Sequence, residues 1–339
     1  MMELTRQEYL DRPVIQEFCV YLTGLFNDEP FAHGFEVKWK RWTKYLLDGG
    51  NHLRQGWFVE QSEKATKDNK KRKITHLRFT SVKSAYDAYY WPTNSLVAAP
   101  DDPNDKKCGE DSEASTSPGV AFDLASNEKQ LTQLRKSLTD ALNKSSAEKT
   151  FIAGMKILDW GQVYKGSVRW LIQKYENNEL VTSIKEAVRV LDGDRLSVIE
   201  SFHSSQNLRM DSGLTKVYSL AAEHSIIYDD RVGAALGLIV IQFLRANPTY
   251  QFEAEKDKVP EELRFMRSAT ASRNPSLKLE GFKFPGKQGG ALHAQSNLIA
   301  NWILHKIAKE VPKLWGKSDV TEKLRAMESA LFMLGYRVA

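Results

Sequence analysis

The 339-residue chain has only two cysteines, Cys19 and Cys108, and they lie far apart. Two separated cysteines argue against a disulfide framework and a cysteine-based zinc site, and they indicate a reducing compartment, which we take to be the cytoplasm. The longest apolar run, around residues 234–244, is too short to span a bilayer. The opening MMELTRQEYLDRP carries early acids and no apolar segment, so we expect no signal peptide.

Other chemical signatures are also missing. The seven histidines show no H-x-x-x-H or H-E-x-x-H spacing, so we expect no metal site. The glycine-rich segment of residues 281–297 lacks the P-loop pattern and is either a phosphate-binding loop before a helix or a plain connector. No other pattern indicates a cofactor, and none is expected.

Composition divides the chain into three predicted parts. Residues 1–92 are rich in aromatics, and FEVKWKRWTKYLLDGG within them is predicted to be helical, whereas ITHLRFTSV fits either a strand or a helix. Residues 93–120 contain three prolines and many acids and serines, and they are predicted to be a flexible loop. Residues 121–339 show recurring helical patterns, so we predict an all-α part.

Several helices in the last part have clear signals. Leucines at 131, 134, 138 and 142 follow the spacing of one helical face. LHAQSNLIANWILHKIAKEV and SDVTEKLRAMESALFMLGYRV are predicted to be helices, the second capped by Ser318 or Asp319. The fold class predicted for the chain is therefore mainly α, a multi-helix globular fold with room for a small β element in the N-terminal part.

Basic side chains are unevenly distributed, although the net charge is only +5. Residues 67–78 carry six bases against one acid, and residues 263–292 form a second basic segment. Each cluster is either a solvated loop or a contact for an anionic partner such as DNA. The candidate DNA contacts in the two segments are Lys70, Lys71, Arg72, Lys73, Lys283 and Lys287.

Residues 195–244 combine buried-looking helices with charged residues. The pattern predicts a helix (RLSVIESFHSSQ), a turn (NLRMDSG), a helix (LTKVYSLAAE), an extended connector (HSIIY) and a long apolar helix (DDRVGAALGLIVIQFL). Lys216 falls in the first turn of a helix, where the helix dipole does not favour a cation. Amides of the turn, at Gly213 and Thr215, are candidates for phosphate contacts. Asp229 or Asp230 is a candidate N-cap of the apolar helix.

These residues resemble those of the helix-hairpin-helix DNA glycosylase superfamily. Thr215-Lys216-Val217 is similar to the lysine segment of its bifunctional branch, and Asp229-Asp230-Arg231-Val232 is similar to its D-x-x-V segment. The resemblance covers residues 195–245. It departs from the family at the hairpin, which reads MDSGL instead of L-P-G-V-G, and no iron–sulfur cysteines follow.

The resemblance implies a helix-hairpin-helix-like element and excision of a modified or damaged base from double-stranded DNA, in repair or in defence. Asp229 would stabilise the oxocarbenium-like transition state, and Lys216 would contact phosphate or act as a Schiff-base nucleophile. Arg231 would be a further DNA contact. A flipped base needs an aromatic pocket, whose candidates are also candidates for the core: Tyr218, Tyr228, Trp160 and, as a polar reader, Gln295.

Two other functions fit the same sequence. A non-catalytic helical DNA- or RNA-binding protein needs only Lys216 and the basic segments. A helical protein-interaction module needs neither. Asn297 and Asn301 lie at helical spacing and either read a base edge or belong to a buried polar network.

Overall fold

The computed structural model describes residues 4–30, 35–39, 58–65, 71–92, 121–202, 208–250, 259–266, 273, 283–286 and 289–335. In this part the chain is mainly helical, as the sequence predicts. The α-helices are α1 (Arg6–Leu10), α2 (Pro13–Phe26), α3 (Val82–Asp87), α4 (Leu124–Asn143), α5 (Ala147–Trp160), α6 (Lys165–Glu176), α7 (Leu180–Leu191), α8 (Leu214–Ala221), α9 (Asp230–Ala246), α10 (Gly289–Glu310) and α11 (Val320–Leu334).

A small β component accompanies the helices. β1 (Phe35–Trp39), β2 (Phe58–Ala65) and β3 (Lys71–Phe79) form an antiparallel sheet in the order β1-β3-β2. β4 (Tyr90–Pro92) and β5 (Ala121–Asp123) form a short antiparallel pair. The sheet confirms that a small β element lies in the N-terminal part, and ITHLRF belongs to β3.

Three sequence predictions are wrong. FEVKW, predicted to be helical, forms β1 because its apolar residues alternate with charged ones at the strand period of two. The all-α prediction from residue 121 onward misses β5. Of the predicted helix RLSVIESFHSSQ, Ser197–Phe202 form a 3-10 helix, and residues 203–206 lie outside the described residues. The chain just before this 3-10 helix pairs with the N-terminal segment, where Arg195 forms a bridge with Thr5, so a longer helix has no room to begin.

The described chain forms two compact units. Unit 1 comprises residues 1–89, 189–210 and 222–339, and unit 2 comprises residues 90–188 and 211–221. Residues of the predicted helical part 121–339 therefore belong to both units. The predicted loop at residues 93–120 lies outside the described residues.

The core of unit 1 is organised around α9. Thirteen residues of this helix are buried, which is expected for a helix that is apolar on all sides. It packs on α11 and on α2. At the contact with α2, the rings of Phe18 and Phe243 meet edge to face at 5.4 Å. α11 begins at the N-cap Asp319, whose Oδ1 accepts from the amides of Thr321 (2.8 Å) and Glu322 (3.1 Å), as predicted.

Unit 2 is a smaller helical group. α4 buries the four leucines that the sequence assigns to one face, and it packs on α5 and α8. Trp160 at the end of α5 donates from Nε1 to the Oδ1 of the buried Asn127 at 3.1 Å. No helix in the described part of the chain is both long and apolar enough to cross a membrane.

A buried histidine links α1 to α10 in unit 1. Arg6 donates a hydrogen bond to Nδ1 of His305, and the His224 ring lies 4.3 Å from the His305 ring. A guanidinium group cannot accept a hydrogen bond, so Nδ1 must be unprotonated. Burial, with help from the nearby charges of Arg6, His224 and Lys309, lowers the pKa of His305 from 6.5 to about 4.

This lowered pKa predicts an acid-sensitive step in the stability of unit 1. Between pH 6.5 and 4 the unfolded chain binds a proton at His305 and the folded chain does not. Stability should therefore fall by about 1–3 kcal/mol as the pH falls through that window. In His305→Gln, urea unfolding should show a correspondingly flatter dependence across it. The same slope in the variant and the native chain would contradict the prediction.

Candidate functional site

The side chain of Asp211 binds backbone amides of the turn before α8. Oδ1 of Asp211 accepts from the amides of Gly213 (3.0 Å) and Leu214 (2.9 Å) and from Oγ of Ser167 (2.6 Å). The amide of Thr215 donates to the Asp211 carbonyl at 3.0 Å. The amides of Gly213 and Thr215, predicted to contact phosphate, are therefore occupied within unit 2.

The physical reason is an Asx turn, in which an aspartate side chain caps the amides that follow it. The signal was present in MDSGL, where an aspartate stands two positions before the glycine. Gly213 itself is buried, and a side chain there would collide with Ser167. Asp211 is the residue that the sequence reasoning missed at this turn.

Lys216 lies in the first turn of α8, as predicted, and is only 4% exposed. Its Nζ donates to the Ser212 carbonyl at 2.8 Å. Its aliphatic stem lies against Gly161, at the C-terminal end of α5. The C-terminal end of a helix favours a cation, so α5 offsets part of the unfavourable dipole of α8.

The connector, residues 222–229, bends at residues 222–224 and has no helix or strand at residues 225–229, all of which are buried in unit 1. Its backbone is held by α10: Ile226 N donates to Oδ1 of Asn301 at 3.0 Å, and Nδ2 of Asn297 donates to Ile226 O at 3.2 Å. Nε2 of His293 bonds to Tyr228 O at 2.6 Å. Asn297 and Asn301 thus belong to a buried polar network.

Side chains of α11 also form hydrogen bonds with the connector backbone. Ile227 N donates to Oε2 of Glu328 at 2.7 Å, and Arg325 donates both to that carboxylate (2.5 Å) and to Ser225 O (2.9 Å). Burial raises the pKa of Glu328, against the opposing effects of Arg325 and the Ile227 amide. The side chains of α10 and α11 therefore determine the position of Asp229 at the end of the connector.

Asp229, and not Asp230, caps α9. Its Oδ1 accepts from the amides of Arg231 (2.9 Å) and Val232 (3.3 Å), and the residue is 8% exposed. A carboxylate at a helix N-terminus is stabilised by the exposed amides and the helix dipole. The arrangement keeps a negative charge in a fixed orientation with little solvent around it.

The other predicted DNA contacts have different surroundings. Arg231 is 8% exposed and its guanidinium lies 4.1 Å from the Phe332 ring centroid, so its side chain packs inside unit 1. Lys283 is exposed. Lys71, Arg72 and Lys73 lie on β3, and Lys70 and Lys287 fall outside the described residues.

The predicted pocket aromatics are packed in the cores. Tyr218 is fully buried and meets Trp170 edge to face at 6.2 Å in unit 2, where Trp160 is also buried. In unit 1 the hydroxyl of the buried Tyr228 donates to Met266 O at 3.1 Å, and burial raises its pKa. Gln295 on α10 is half-buried. The aromatic rings thus take the core role that the sequence had left open.

Among the described residues, no group of three or more histidine, cysteine, aspartate or glutamate side chains could hold a metal ion. Comparison with known proteins found no matching family model, no matching curated protein and no matching solved structure. What can be argued about function therefore comes from the residues themselves.

The connector network predicts a large stability loss when Asn301 is replaced. Asn301→Leu removes the acceptor of Ile226 N and the donor to Leu191 O (3.2 Å), leaving two buried backbone groups unpaired. We expect a loss of about 2–4 kcal/mol in the free energy of unfolding, measured in urea. Gln295→Leu, at a half-buried position of the same helix, is the control and should change it by only about 0.5 kcal/mol. Equal losses would contradict the prediction.

Proposed function

We propose that the protein is a DNA N-glycosylase-like enzyme that removes a modified base from duplex DNA in the cytoplasm. The observation that carries the proposal is the placement of Asp229: a nearly buried carboxylate, oriented by two amides at the head of α9. The resemblance of residues 195–245 to the glycosylase superfamily is the second support for the proposal. The described Cys19 is a free thiol, in keeping with a reducing compartment.

In this reaction the C1′–N bond breaks, and its electron pair leaves with the base, which takes up a proton. Positive charge develops on the sugar, and the carboxylate of Asp229 would stabilise it through space. Water then adds to C1′ and gives up a proton. Oδ1 can keep its amide bonds throughout, because the stabilisation is electrostatic and needs no rearrangement of the cap.

Lys216 has two candidate roles. Once the base has left, a neutral amine at this position would condense with the C1′ aldehyde, losing water and forming a Schiff base. Alternatively the charged amine contacts a DNA phosphate. A phosphate contact of this kind would be charge-assisted, unlike the bond that Nζ donates to the Ser212 carbonyl.

Asp229→Asn tests the catalytic role, with Asp319→Asn as a matched control. Both aspartates are N-caps of unit 1 whose Oδ1 accepts from two amides, and asparagine caps about as well as aspartate. With duplexes that each carry one oxidised, alkylated or hydroxymethylated base, alkali-labile sites should fall at least about 100-fold in Asp229→Asn alone. Both variants should melt near the native temperature. Undiminished cleavage by Asp229→Asn would remove the assignment.

Lys216→Met separates the two lysine roles, with Lys323→Met as its control. Lys323 is likewise buried, at 3% exposure, and its Nζ donates to a carbonyl, that of Val311, at 2.7 Å. If Lys216 is the nucleophile, borohydride trapping on an abasic-site duplex should disappear in Lys216→Met only. If it contacts phosphate, trapping persists while binding weakens and its salt dependence becomes shallower by about one phosphate contact.

The non-catalytic alternative has an observation in its favour, because the cap on α9 gives Asp229 a structural explanation. Gel shifts over a salt series distinguish it from an interaction module, since phosphate contacts weaken steeply as salt rises. Binding without base release on any duplex of the panel would favour this alternative over the proposed enzyme.

A further inference from the structure

Gly161 stands at the C-cap of α5 with an ordinary backbone conformation. Its φ and ψ are −74° and −8°, a right-handed helical geometry that any amino acid adopts. Glycine is common at helix ends because it tolerates left-handed φ, but that freedom is not used here. Alanine would cost less conformational entropy at this position, so the backbone gives no reason for a glycine.

The space around Gly161 does give a reason. A methyl group on its Cα would lie 2.5 Å from Cδ and 2.8 Å from Cε of Lys216, closer than side chains approach one another. The lysine stem therefore occupies the volume that any other residue at position 161 would fill. From there Nζ reaches the Ser212 carbonyl at 2.8 Å.

We infer that Gly161 is a positioning residue for Lys216. Because glycine has no side chain, the aliphatic chain of Lys216 can cross the end of α5. Its amine is thereby held in one buried place. This inference rests on the proposed function, in which that amine meets DNA. It adds a residue outside the segment that carries the resemblance, and it assigns Gly161 a role through Lys216 and not in contact with the substrate.

Gly161→Ala is the direct test, and Gly154→Ala is its control. Gly154 lies in the same helix, and a methyl there would meet Cδ1 of Leu171 at 3.1 Å instead of Lys216. On an abasic-site duplex, the rate of borohydride trapping at saturating DNA should fall about 10- to 100-fold in Gly161→Ala, because a displaced amine loses its alignment. The DNA concentration at half-maximal rate should stay the same. Trapping at the native rate by Gly161→Ala would overturn the inference.

Two measurements need no enzymatic activity, so they distinguish failure of the inference from failure of the proposed function. Reductive methylation followed by peptide mass analysis should label Lys216 faster in Gly161→Ala, with the buried Lys323 as an internal reference. Unchanged labelling overturns the inference, whether or not the native protein traps DNA. If the native protein traps no DNA, the nucleophile role fails, and faster labelling still supports the positioning role.

A double-variant cycle covers the case in which Gly161→Ala folds poorly. The alanine should lower the melting temperature clearly more when Lys216 is present than in a Lys216→Ala background, where only the contact with the Ile157 carbonyl oxygen at 3.3 Å remains. An equal drop in both backgrounds would show that position 161 is sensitive for a reason unrelated to the lysine, and would overturn the inference.

Discussion

The backbone of residues 225–228 is buried in unit 1 outside any helix or strand, so its peptide groups depend on side chains for hydrogen bonds. Buried backbone groups that find no partner are costly, and here asparagine, histidine, arginine and glutamate side chains of α10 and α11 supply the partners. This requirement explains why two largely apolar helices carry polar residues on their buried faces. It also determines the point at which α9 begins, because the connector ends at Asp229.

The same constraint joins stability to the proposed chemistry. A carboxylate that stabilises a developing positive charge works best when its orientation is fixed before the substrate arrives. The Asp229 cap provides that orientation through two amides, and the connector network fixes the cap. In unit 2 the corresponding feature is a lysine held in a narrow path beside Gly161. In both cases the charged group has a structural partner, so a functional role is an additional use of a residue that the fold already needs.

Much of the fold could be predicted because the signals are local. The leucine spacing of α4, the apolar length of α9 and the Asp319 cap of α11 each depend on residues within a few turns of one another. The failures were also local: FEVKW has the strand period, and MDSGL contains an Asx turn. Both signals are present in the sequence, but the helical patterns next to FEVKW and the phosphate site expected at MDSGL favoured other predictions.

The sequence by itself determined the longer helices of the C-terminal part, where α8 and α9 begin, and that Lys216 and Asp229 stand at those beginnings. Only the tertiary structure decided what surrounds them. Ile226 and Ile227 find their partners 75 and 101 residues away, the guanidinium of Arg231 turns inward onto Phe332, and the stem of Lys216 lies against Gly161. Capping and periodicity act within a few residues, whereas burial and the pairing of polar groups depend on how distant helices pack.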